Sequence, residues 1–397
     1  MKPFLLAQYT ATSCIGQGLA PTLAALAEQR SGLKSCEFET AKIDTHIGEV
    51  AGVDAQRLPK SLQIFNCRNN RLAELALQQD GFFEAVDAAA ARWGRRRVGV
   101  FIGTSTAGIM QTELAYRARD PRSGALPSSF EYGTTHNTFS VADYLRQRCR
   151  LEGPAVAVSS ACASSAKVFG SARRMIEAGL IDAALVGGTD SLCLTTLYGF
   201  HSLQLSSPAP CRPFDVARDG ISIGEAAAFA LLERAPRNLD ANSVLLLGVG
   251  ESSDAYHMSA PHPEGLGAKR AMQAALAAAS MEAAEIDYIN LHGTGTPSND
   301  RAESQAVTSI FGPTTPCSST KGATGHTLGA AGALEAVISA LAIQNGFMPG
   351  GVHTARIDPT LTAHYIRENR RAPIKRVLSN SFGFGGTNCS LIFGRAG

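Results

Sequence analysis

Short apolar runs recur along this chain with Ala-rich helical patterns between them. The runs are VGVFIG (98–103), AVAVSSA (155–161), AALVGG (183–188), AAFALLE (227–233), VLLLGVG (244–250), IDYINLH (286–292), the shorter TPCSST (315–320), RVLSNSF (376–382) and CSLIFG (389–394). Several are apolar at consecutive positions, as in strands covered on both faces, so the alternation predicts an α/β protein. Between the runs, 163–178 sets Val168, Ala172, Met175 and Ile176 on one helical face and stops at Gly179. Residues 328–344 carry Leu334, Val337, Ile338 and Leu341 at helical spacing.

The polar stretch ERAPRNLDANS (233–243) reads as a connector between halves with a similar order of elements, 1–235 and 236–397. The pattern breaks at about 111–154, where Pro121, Gly124, Pro127 and Gly133 suggest an insertion over the core. With 397 residues, 45% of them hydrophobic, the chain is long enough for two domains or one large two-part core. Its 36 basic and 34 acidic side chains nearly cancel, which argues against a nucleic-acid or anionic-membrane partner. Arg92, Arg95, Arg96 and Arg97 beside Trp93 form either a solvated loop or a patch for an acidic partner. Nine cysteines, an odd count without CxxC spacing, argue against a disulfide framework or a zinc site and suit a reducing cytoplasm. The N-terminal apolar run is too short for a signal peptide, and no apolar stretch reaches the ~18 residues of a membrane span.

Three segments carry the chemistry. Cys162, in AVSSACASSA, follows a strand-like run and precedes a helix. A thiol at such an elbow meets unpaired N–H groups and the positive end of the helix dipole, which predicts a thiolate-favouring nucleophile. The alternative is a buried cysteine packing as a small hydrophobe. His292 ends IDYINLH and opens GTGTPSND, where Thr294 and Thr296 offer hydroxyls at alternate positions. Asn299, Asp300 and Glu303 follow, suited to capping and internal hydrogen bonds or to direct chemistry. His326 lies in SSTKGATGHTLGAAGALE, where Lys321 and Glu335 are placed to form a partly buried ion pair that fixes the loop. Further on, SNSFGFGGTN (379–388) sets Phe382 and Phe384 in a Gly-rich loop between strands, suited to an oxyanion donor and an aromatic gate.

From about residue 98 onward, SSACASS, VGGTDS, CRPFDVARDG, GEAAAFALLE, LHGTGTPSND, KGATGHTLGAAG and NSFGFGGTN occur in an order that resembles the β-ketoacyl-acyl carrier protein synthases, of the elongating Cys-His-His type. The resemblance implies a thiolase-like duplicated α/β/α/β/α five-layer sandwich. It implies a decarboxylative condensation in fatty acid, polyketide or aryl-polyene-like elongation. Cys162 would hold the acyl chain, and His292 and His326 would activate a malonyl thioester. The N–H groups of Cys162 and Phe384 would form the oxyanion hole, Phe384 would act as gate, and Thr294 and Thr296 would bind the pantetheine arm. No metal or organic cofactor does chemistry in such enzymes, although some hold a structural cation. The partner would be an acyl carrier protein, and the assembly a homodimer or a heterodimer with a related subunit.

Thr104, Ser105 and Thr106 fall where the family finishes its acyl pocket, and their polarity hints at an unusual chain, unless they serve as strand-end hydrogen-bonding groups. Lys60, Arg68, Arg71, Arg117, Arg119 and Arg122 are candidates for a carrier-protein surface. The opening MKPFLLAQYTATSCIGQGLA departs from the usual Val/Ile-rich start, and residues 1–97 are less recognisable. Two other functions compete. A thiolase would need a second catalytic cysteine, for which Cys389 is poorly placed. A chain-length-factor subunit would lack the nucleophile.

Overall fold

The computed structural model describes residues 2–396. Its frame is a 12-stranded sheet, ten strands of which form two sets of five. The first set is β1 (Phe4–Ser13), β2 (Val98–Gly103), β3 (Ala155–Val158), β4 (Ala183–Asp190) and β5 (Ala226–Arg234). The second is β6 (Val244–Ser253), β7 (Tyr288–Asn290), β8 (Pro316–Ser318), β9 (Arg376–Gly383) and β10 (Thr387–Arg395). The helices that cover them are α1 (Arg68–Leu77), α2 (Phe82–Trp93), α3 (Ser140–Arg148), α4 (Ser164–Glu177), α5 (Leu266–Ala279), α6 (Pro297–Phe311) and α7 (Ala331–Asn345).

The two sets share one topology. The first runs β3-β2-β4-β5-β1 in space and the second β8-β7-β9-β10-β6. In each, the first three strands are parallel, the fourth is antiparallel to the third, and the fifth is antiparallel to the fourth. The sets join where β1 meets β6 at only two pairs, Phe4↔Leu246 and Leu5↔Leu245.

Both faces of the strands are buried. On β4, Ala184 and Val186 enter the central core while Ala183 and Leu185 enter an outer one. The central core holds α4 and α7 between the two sets, and the outer cores lie under α1, α2 and α3 on one side and α5 and α6 on the other. These are the five layers of the thiolase-like sandwich. Gly332 lets α7 cross α4 closely, since a Cβ there would lie 2.7 Å from Ala166. The stretch Leu328–Asn345 is long and apolar enough to cross a membrane (mean hydropathy 1.3), but it is packed inside this core.

Strand and helix bounds follow the apolar runs closely, with differences. Strand β5 continues to Arg234, so the connector is the shorter 235–243. Within 111–154, only the middle is irregular, because helix Ile109–Arg117 precedes it and α3 belongs to the outer helical layer. The arginine cluster is a set of ion pairs, Arg92–Glu233, Arg95–Asp87, Arg96–Glu152 and Arg97–Asp182, rather than a patch for an acidic partner. The nine cysteines are free.

Candidate active site

Cys162 lies in the turn 159–163 between β3 and α4. Ala161 adopts φ 49°, a left-handed conformation that costs about 1 kcal/mol in a residue with a Cβ. Ser164 holds this turn, donating from Oγ to the Ala161 carbonyl (2.5 Å) and accepting the Ser160 N–H (2.9 Å). His326 arrives from the second half, in the longer connection 319–330 between β8 and α7. Its N–H donates to the Ser222 carbonyl (2.7 Å) and its carbonyl accepts the Gly224 N–H (3.0 Å), which stitches it to the first half. His292 stands two residues beyond β7 rather than at the end of that strand. Glu303 of α6 accepts the N–H groups of His292 (2.8 Å) and Gly293 (2.7 Å), and Asp300 accepts that of Gly295 (3.2 Å). The acidic residues after His292 thus shape its loop.

These connections bring the three reactive side chains together. His326 Nε2 lies 3.0 Å from Cys162 Sγ. The His292 and His326 rings meet edge-on with centroids 5.3 Å apart, and Phe382 packs on His292 at 5.9 Å. The potential ligand atoms of Cys162, His292 and His326 all lie within 4.8 Å of one another. The Phe384 backbone N–H bonds toward Cys162.

Burial sets the protonation states. It pushes the Cys162 thiol up to about 12, outweighing the opposing effects of Lys321 and the Phe384 N–H. Burial thus works against the thiolate that the helix end favours. Burial, reinforced by the Lys321 charge, holds both imidazoles well below their usual range and so neutral. Lys321 pairs with Glu335, and both are buried. Burial raises the Glu335 carboxyl to about 7 even though Lys321 opposes it. Asn290 Oδ1 and Glu335 Oε2 are buried acceptors without a hydrogen-bond partner.

A pocket opens onto Cys162, His292 and His326 and is lined by Phe200, Leu205, Ile221, Phe382 and Phe384. Thr294 and Thr296 line its approach and share a hydrogen bond of 2.9 Å. Ser259, Ala260 and Pro261 form part of its mouth. Their segment latches the gate loop, with Gly385 N–H donating to the Met258 carbonyl (2.7 Å) and Asp254 N–H to the Gly386 carbonyl (2.8 Å). That wall gave no signal in the sequence.

Other expected residues lie elsewhere. The side chains of Thr104, Ser105 and Thr106 are not among the pocket's lining groups; all three donate to Asp190 at 2.7, 2.5 and 2.9 Å. Asp190 also accepts the Gly329 N–H (2.6 Å), so one buried carboxylate ties both halves together. These three residues are strand-end hydrogen-bonding groups, not an acyl-pocket surface. Arg68 is buried, locked to Glu225, Asp54 and Glu49, and is unavailable to a carrier protein. The charge of a fully buried guanidinium requires such partners. Arg71 bonds Asp54, Arg117 pairs with Glu39, and none of Lys60, Arg71, Arg117, Arg119 and Arg122 lines the pocket.

A duplicated sandwich with one cysteine and two neutral histidines at its seam defines a condensing enzyme of the ketosynthase class. The chain belongs to the β-ketoacyl synthase family: residues 13–238 match its N-terminal domain and residues 244–355 its C-terminal domain. It is 38% identical over 318 residues to 3-oxoacyl-[acyl-carrier-protein] synthase 2 of Rhizobium meliloti, which covers 75% of this chain and 74% of that protein. Among solved structures it is similar to a chain of the complex between the ketosynthase ApeO and its chain length factor ApeC from Xenorhabdus doucetiae, with 39% identity and a TM-score of 0.90. That match covers 100% of this chain and 98% of the other. A β-ketoacyl synthase from Burkholderia phymatum matches over the full length of both chains, with 31% identity and a TM-score of 0.88.

Proposed function

We propose that this chain extends carrier-bound acyl groups by decarboxylative Claisen condensation, and the 3.0 Å approach of His326 Nε2 to Cys162 Sγ beside a second neutral imidazole carries that reading. Cys162 passes its proton to His326 as Sγ attacks the incoming acyl thioester. The carrier's pantetheine thiol leaves with a proton, and the acyl chain stays on Cys162. A malonyl thioester then enters past Thr294 and Thr296 and places its carbonyl oxygen against the two imidazoles. Neutral N–H donors suit this task, because they stabilise the developing enolate without carrying a charge into a buried site. Loss of CO2 leaves the enolate, whose carbon attacks the Cys162 thioester. The tetrahedral oxyanion takes the N–H groups of Cys162 and Phe384, each such donor being worth about 3 kcal/mol. Collapse releases the 3-oxoacyl-carrier product and the Cys162 thiolate, which is reprotonated. No resident cofactor takes part, since the pantetheine arrives with the substrate.

The partners in this reading are an acyl carrier protein and a second ketosynthase-like chain. Strand β3 ends the sheet with every residue half-exposed. An apolar open edge of this kind is covered in soluble proteins. A thiolase reading is disfavoured because Cys389 is fully buried within β10, paired to Glu251 and Ser381 on the neighbouring strands. A chemically silent subunit is disfavoured by the assembled Cys162, His292 and His326.

The test is Cys162→Gln. It should lose condensation by about 10⁴-fold or more while malonyl decarboxylation, which needs only the histidines, persists. Condensation retained by this variant would overturn the assignment.

A further inference from the structure

Phe200 and Ile221 line the pocket at Cys162; Ile221 also belongs to a separate apolar cluster, and Phe200 packs against it. That cluster holds Met110 from helix Ile109–Arg117, Leu192 and Leu197 at and in helix Leu194–Ser202, and Leu328 two residues beyond His326. Through Phe200 and Ile221 this cluster adjoins the pocket, whereas the polar trio 104–106 is turned onto Asp190. The two helices that flank it are packed together.

One group fastens them. Helix Leu194–Ser202 has no side-chain cap of its own and no acidic residue in its first turn. Its end is capped from the other helix by Glu113, which accepts the Leu194 N–H (3.1 Å), the Thr195 N–H (2.7 Å) and the Thr195 hydroxyl (2.6 Å). A carboxylate bridging a neighbouring helix N-terminus satisfies orphan donors and favours the dipole, so it both caps and clamps. The clamped helix carries Phe200, whose ring meets the gate residue Phe384 at 5.7 Å.

Resting on the role of Cys162 given above, we propose that Glu113 is a positioning residue for acyl reach. By clamping helix Leu194–Ser202 to helix Ile109–Arg117, it sets how readily a long acyl chain on Cys162 parts the cluster behind Phe200. Short acyl groups end before that cluster and do not feel the clamp. Glu113 touches no reacting atom.

The experiment compares the rates at which acetyl-pantetheine and dodecanoyl-pantetheine acylate Cys162 in the full chain, read by intact mass. Glu113→Ala should raise the dodecanoyl-to-acetyl rate ratio about fivefold, the factor that loss of one helix cap gives. Glu113→Gln, whose amide oxygen still accepts from Thr195, should stay within about twofold of the parent. An unchanged ratio in Glu113→Ala, or equal slowing of both reagents with a lowered Tm, would overturn the proposal, because a merely structural role moves both rates together. Failure of the parent chain to take acetyl on Cys162 would instead remove the underlying role of Cys162, and the proposal with it.

Discussion

The two halves of the molecule share a strand order and differ in their connections, among them the link from the third strand to the central helix. In the first half, the turn from the third strand to the central helix is residues 159–163, and it presents Cys162 at the start of α4. In the second half, the equivalent link is the longer 319–330, which carries Lys321 and His326 before α7 begins. The short link is strained at Ala161 and holds a single side chain in one place. The long link has room for a buried ion pair and for an imidazole that reaches across to the other half. Duplication supplied two facing helix ends, and unequal loops turned one into a nucleophile's seat and the other into a proton carrier's.

The comparison can be broken from either side. Beyond the loss expected for Cys162→Gln, the largest effect should come from His326→Ala, which removes the imidazole contributed by the long link. Condensation should fall about 10³-fold, the range of a lost general acid–base group, and acylation of Cys162 should slow as well. A steady-state assay alongside intact-mass acylation rates would separate the two steps. If only condensation fell, His326 would belong to the malonyl step alone, and the link would not serve both halves. Next comes Asp190→Ala, which removes the carboxylate joining Thr104, Ser105, Thr106 and Gly329. Stranding buried donors should destabilise the fold by about 3 kcal/mol, measured by urea denaturation. A change below ~1 kcal/mol would mean that this carboxylate does not hold the halves together.

The smallest effect concerns pH. Because burial raises the Cys162 thiol to about 12, its alkylation by iodoacetamide should climb steadily above pH 9 without a plateau near neutrality. The sign follows from the direction of the shift: a raised thiol pKa keeps the unreactive protonated form to higher pH. A plateau at neutral pH would show a preformed thiolate–imidazolium pair, and would make the short turn the activating element after all.

Much of the frame was legible because strands buried on both faces leave consecutive apolar residues, as in VGVFIG and VLLLGVG. Strand β1 was not among them. It sits centrally between β5 and β6, yet its sequence carries Gln8, Thr10, Thr12 and Ser13, and Thr10 finds its partner in Asp80. Buried polar residues satisfied by distant partners leave no periodic trace. The same holds for Asp190, visible only as the acid within VGGTDS, and for Arg68, whose type suggests a surface and whose burial depends on Glu225 far along the chain. The reactive residues were legible because small-residue turns after apolar runs are local features. Their protonation states were not, because burial of the site is a property of the whole assembly. The clamp at Glu113 was hidden for a related reason, since it joins two helices that are far apart in sequence.

The placement of β1 also sets the order of events during synthesis. This strand is made long before its main partner β5, which begins at Ala226, and the two residues of β6 that it meets. Until Ala226 and the residues after it have emerged, β1 can pair only with the two-residue strand Gly16–Gln17. Such long-range pairing slows folding and leaves apolar segments open to wrong contacts. Nascent chains halted before residue 226 are therefore the ones most in need of a chaperone.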